Sequence, residues 1–114
     1  MSAPKTPRPP ANLSREAREV WTATCREFDL EAHHLAILRA ACRELSRAEE
    51  AETIVGRDGL ILKTPRGDSK PHPAAGVARN ARIAAARLLR ELALDETRNP
   101  YANRPPRAGS GARS

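Results

Sequence analysis

A chain of 114 residues has room for one small domain. Aromatic side chains are 3% of it, so the core has to be built from Leu, Ile, Val and Ala, and a thin core of that kind is commonly completed by self-association. The formal net charge of +6 hints at a polyanionic partner, and no apolar run approaches the roughly 18 residues of a membrane span.

The charge is unevenly placed. Residues 14–56 hold six basic and nine acidic side chains, and residues 57–98 hold nine basic and five acidic. Neither end carries an acid; Lys5 and Arg8 lie at one, Arg104, Arg107 and Arg113 at the other. A polyanion on the basic side is one reading of this asymmetry, and solubility alone is the other.

Residues 1–13 contain prolines at positions 4, 7, 9 and 10, which predicts an extended, disordered basic arm. Ser14 is suited to cap a first helix, on which Val20, Trp21, Thr24 and Phe28 share a face. Trp21 and Phe28 are expected to pin this helix to the next. After a short turn at Asp29-Leu30, the stretch Glu31 to Gly56 reads as a long helix. Leu35, Leu38, Cys42 and Leu45 make one apolar stripe, and Ile37, Ala41, Ala48 and Val55 a weaker second. Gly56 is the expected stop. Such a rod is about 35–40 Å long at 1.5 Å per residue. Two stripes want two partners, and a chain this small is expected to supply one of them. The helix–turn–helix order raises a DNA-reading motif, but the second helix is too long for one and begins Glu-Ala-His-His.

Leu60-Ile61-Leu62, between Gly59 and the Thr64–Asp68 cluster, predicts an extended segment or a small hairpin. Arg66-Gly67-Asp68 reads as a chance match to an integrin-binding tripeptide. Lys63-Thr64 lacks the glycine spacing of a phosphate-binding loop. Pro71, His72 and Pro73 set the start of a third helix over residues 74–94. Val77, Ala81, Ala84, Ala85, Leu88 and Leu92 are predicted to line its inner face, with Arg79, Arg82, Arg87 and Arg90 opposite. Ile83 and Ala86 fall among those arginines, which suits contact with a subunit or a ligand better than a merely solvated surface. Residues 99–114, rich in Pro, Gly, Ser and Arg, read as a disordered tail.

No catalytic constellation emerges. His33 and His34 are neighbours on a helix, so they diverge by about 100° and read as surface residues. His72 stands isolated between prolines. Cys25 and Cys42 lack CxxC-like spacing and read as buried, reduced thiols of a cytoplasmic protein. Glu49, Glu50 and Glu52 read as a solvated face. Neither enzyme activity nor a cofactor or metal is expected.

The order of features resembles the P27-type family of bacteriophage terminase small subunits. A Pro-rich basic start leads to a Trp-bearing helix, Leu13 to Trp21. A long helix follows, Leu-rich first and acidic later, from His34 to Val55. Gly56, Gly67 and Lys70-Pro71-His72-Pro73 come next, and Leu92-Ala93-Leu94-Asp95-Glu96-Thr97-Arg98 closes the pattern. The resemblance covers residues 10–98. It departs at His34, where the family often has Asp, and at Ala93 and Glu96 in a closing segment that usually reads Leu-Gly-Leu-x-Pro.

What the resemblance implies is a mostly helical, non-enzymatic subunit that assembles into a ring, helps select double-stranded viral DNA and regulates a separate large terminase subunit in the host cytoplasm. The expected fold is all-α, a helical hairpin with a long central helix and a short extended segment or small hairpin before the third helix. Residues 14–98 would form the packaging domain, flanked by basic termini. The expected DNA contacts are Lys63, Arg66, Lys70, Arg79, Arg82, Arg87, Arg90, Arg104, Arg107 and Arg113. A small helical DNA-binding regulator and a protein–protein adaptor are the alternatives.

Overall fold

Ser14 starts the first helix as its sequence context predicts. In the computed structural model, which describes residues 6–98, its hydroxyl accepts the Ala17 amide at 3.2 Å and its own amide donates to Ser46 Oγ at 2.7 Å. The first contact caps α1, Arg15–Glu27. The second ties its start to the middle of α2, Ala32–Asp58. A two-stranded antiparallel hairpin follows, β1 at Ile61–Lys63 and β2 at Ser69–Pro71, and α3 spans Pro73–Arg98.

Residues 6–13 are not helical. Their end is nonetheless part of the bundle. The Trp21 indole donates to the Pro7 carbonyl at 2.8 Å, Asn12 turns the chain at φ 64°, and Leu13 is buried in the core. A buried indole needs a partner for its N–H, and the proline-rich segment supplies it. Trp21 pins α1 as expected, whereas Phe28 is only half-buried at the C-cap.

The long helix continues past Gly56 and stops at Gly59. Gly56 stays within the helix, while Gly59 takes φ 91° and its amide closes on the Val55 carbonyl at 2.7 Å. A glycine inside a helix costs about 1 kcal/mol relative to Ala and need not end it; a positive φ does. At the other end, His34 corrects its reading as a surface residue. It is buried, and its Nδ1 accepts the Glu31 amide at 3.3 Å within a capping box.

α1 and α3 both pack on α2, which corrects the expectation of one internal partner, although Ile37 and Val55 of the second stripe stay half-buried. Leu38, Cys42 and Leu45 join Leu13, Ala17, Trp21 and Ala85 in one cluster, with Leu35, Leu89 and Leu92 packed against it. Ala41, Ala48 and Ala51 are buried too, as are Ala78, Ala81 and Ala85 of α3. The inner face of α3 is thus turned from the expected one. Val77 is 44% exposed, and Ala78, Ala81, Ala85, Leu89 and Leu92 face inward. Alanine at these positions admits a closer helix approach than valine would.

The hairpin ends in a tight tip. Pro65, Arg66 and Gly67 form the loop, closed by Thr64 N–H to the Asp68 carbonyl at 2.7 Å and Gly67 N–H to the Thr64 carbonyl at 2.9 Å. Gly67 has φ 94°, the glycine position of a three-residue hairpin loop. The Arg-Gly-Asp tripeptide is therefore accounted for by turn chemistry.

Leu38 is fully buried at the centre of the cluster. Leu38→Ala should cost about 2–5 kcal/mol, read as a lower midpoint in urea denaturation followed by circular dichroism; an unchanged midpoint would mean that this cluster is not the core.

Candidate nucleic-acid interface

α3 and the hairpin carry the basic residues expected to meet DNA. Arg79, Arg87 and Arg90 are exposed on the outer side of α3, and Ile83, 46% exposed, lies among them. At 100° per residue the four fall within an arc of about 80°, so the helix does bring them together. Lys63, Arg66 and Lys70 are exposed on the hairpin. They are not gathered on one side. Lys63 pairs with Ser69 and Lys70 with Leu62, and adjacent pairs point to opposite faces, so each face of the ribbon carries one lysine. Arg66 sits at the tip. Arg104, Arg107 and Arg113 lie outside the described residues.

Arg82 stands apart from the other α3 arginines. Its Nε and Nη2 donate to Glu52 at 2.9 and 2.8 Å, and its Nη1 and Nη2 to Glu16 at 3.1 and 3.2 Å. One guanidinium thus links α1, α2 and α3 through two forked contacts. Its hydrogen bonds to Glu52 and Glu16 raise its pKa further, and the bond shared with Glu52 lowers that of Glu52. Acidic first half and basic second half therefore meet inside one chain at this point. Glu52, read from the sequence as part of a solvated face, is one jaw of the clamp.

His72, isolated in the sequence, bridges three elements. Its Nδ1 accepts the Ala74 amide at 3.0 Å and so caps α3, which places the ring hydrogen on Nε2, 3.0 Å from Asp58 Oδ2. Its amide donates to the Leu60 carbonyl at 2.7 Å and extends the ladder. Asp58 is also held by Arg57 at 2.8 Å. The Arg57 hydrogen bond first, then His72, pulls the Asp58 carboxyl down to about 2 from an ordinary 3.8. The foot of the hairpin is thereby fastened to the end of α2 and the start of α3. No periodicity in the sequence signals this contact, because its partners are fourteen residues apart across a turn.

Among the described residues one group has side chains suited to a metal ion. Ligand atoms of Glu31, His33 and His34 lie within 4.8 Å of one another. The capping box accounts for this grouping, since His34 Nδ1 is already an acceptor for the Glu31 amide. The positive end of the α2 dipole also disfavours a cation there. Cys25 and Cys42 are free thiols. Burial raises both, Cys42 to about 11 with Cys25 adding to the effect, so neither is a ready thiolate nucleophile. Among the described residues, no helix is long and apolar enough to cross a membrane.

A family model for the small subunit of phage terminase matches residues 16–101, which span all three helices and the hairpin. The chain belongs to the phage terminase small-subunit family, and its role lies in phage DNA packaging. No curated protein and no solved structure matches it.

The two ionic clusters make separable predictions. Arg82→Ala should destabilise the fold by about 1 kcal/mol, the scale of a partly exposed network, and leave the salt dependence of DNA binding unchanged. Arg87→Ala and Arg90→Ala should do the reverse, leaving the melting temperature alone and flattening the salt slope by about one unit each. For Asp58 the folded pKa is depressed, so its contribution is present above about pH 4 and is lost as pH falls towards about 2. Asp58→Asn should therefore lower the melting temperature at neutral pH and narrow its gap from wild type as the pH drops through that window.

Proposed function

We propose that copies of this protein assemble into a ring that engages double-stranded viral DNA and regulates the ATPase and nuclease of the large terminase subunit in the host cytoplasm, without itself catalysing a reaction. Residues 14–98 would be the assembling and DNA-handling body, with Arg104, Arg107 and Arg113 adding phosphate contacts from the C-terminal tail. The observation that carries this reading is the set of large apolar residues left outside a core that the chain completes by itself. Leu60, Ile61, Val77 and Ile83 are 44–58% exposed, at the hairpin and on α3, the elements that also carry the basic residues described above. Exposed large apolar residues on the hairpin and α3 suit a contact with another copy. The neighbouring cations suit phosphates, whose binding falls steeply with salt.

Light scattering on the purified protein tests assembly. A ring-sized mass that Ile83→Asp reduces, with helix content intact, is the expected result. A dimer favours a DNA-binding regulator, and a monomer at micromolar concentration favours an adaptor; either would reject the ring. Regulation is tested by co-purification with the large terminase subunit encoded beside it and by stimulation of that subunit's ATPase.

A further inference from the structure

The outer face of α1 is a second cationic surface, and the net acidity of residues 14–56 conceals it. Arg15, Arg18, Thr22, Ala23, Glu19 and Arg26 line one shallow groove of about 380 Å³ on that face. At 100° per residue they span about 140°, opposite the buried Ala17 and Trp21. α1 carries three acids, and Glu16 and Glu27 fall just past the edge of this arc while Glu19 lies within it. Glu16 is committed to Arg82 at the helix seam, which leaves Glu19 as the one carboxylate in the groove. Arg15 and Glu19 approach to 3.6 Å, but both side chains are largely exposed, at 91% and 71%, and a pair so wet holds its partners weakly. Arg18 reaches the Leu13 carbonyl at 3.4 Å with one nitrogen and keeps the rest of its fork for other contacts.

We propose that this face of α1 is a phosphate-binding ridge for duplex nucleic acid, with Arg15, Arg18 and Arg26 as the phosphate contacts and the Thr22 hydroxyl as a fourth donor; this rests on the DNA-binding reading above and adds a site to it. Three features carry the assignment. Arg15 occupies the first turn of α1, where the helix dipole disfavours a cation, and its one ion pair within the helix is the exposed contact with Glu19. The spacing from Arg15 to Arg26 covers about 16 Å of helix axis, enough to reach across a groove about 12 Å wide to both phosphate rows. The face also lacks a large exposed apolar anchor, since the residues of that kind among those described, Leu60, Ile61, Val77 and Ile83, are all at the hairpin and on α3. A surface of guanidinium forks and one hydroxyl, without an apolar centre, matches a polyanionic backbone.

The test uses the full chain and a fluorescein-labelled duplex of about three helical turns, with anisotropy read across a salt series. Arg15→Gln with Arg26→Gln should weaken binding on the order of tenfold and reduce the slope of log K against log salt by about 1.8 units, with an unchanged melting temperature. Glu19→Gln should tighten binding, a gain that misfolding cannot imitate. Wild-type binding with no change in the double variant or in Glu19→Gln overturns the α1 site and leaves the DNA-binding reading standing on α3 and the hairpin. Failure of the wild type to bind the duplex overturns both.

Discussion

Close approach of α2 and α3 is the constraint on which the rest of the molecule depends. Aromatic residues are too few to fill a wide interior, so the two long helices meet through small ones: Ala41, Ala48 and Ala51 on one, Ala78, Ala81 and Ala85 on the other. Each alanine buries little area, and the gain comes from dispersion contacts along an extended seam. The larger apolar side chains are concentrated where α1 crosses α2. There Trp21, Leu38, Cys42 and Leu45 form the one thick part of the core. This division leaves the hairpin end of the molecule with alanines inside and Leu60, Ile61 and Val77 outside.

Electrostatics follow from that geometry. A narrow alanine seam brings charged rims close enough to touch, and Arg82 reaches across to Glu16 and Glu52 together. The acids of the first half are partly spent in this way within the fold. What remains on the outside is more cationic than the count for residues 14–56 suggests. The position of a charge on its helix, and not the sum over a segment, determines what a polyanion would meet.

Periodicity made the three helices legible, because amphipathic spacing over ten or more residues is a redundant signal. The same spacing placed Leu35, Leu38, Cys42 and Leu45 on the buried side of α2. On α3 it placed Ala81, Ala85 and Leu92 correctly but turned the face towards Val77, because alanines lie nearly all round that helix. The short strands around Leu60–Leu62 were open to two readings, since three residues carry little periodic information. His34, Asp58 and His72 were not legible. Their roles arise from contacts between a side chain and a backbone amide or a distant carboxylate, and nothing in residue type alone announces such pairs. The arginines of α1 were legible in their spacing but hidden by averaging charge over the first half of the chain.

The fastening of the hairpin at its foot has a consequence for how this protein can change over time. His72 holds both Leu60 and Asp58, so the ribbon is anchored below and closed above by its own turn. Its length is then independent of the bundle. Adding one residue to each strand would extend it by about 3.4 Å and exchange the faces on which the tip-side residues point. Adding two would extend it by about 7 Å and restore the faces. Reach can therefore evolve in discrete steps, with the three-helix body serving as a fixed mount for ribbons of different length.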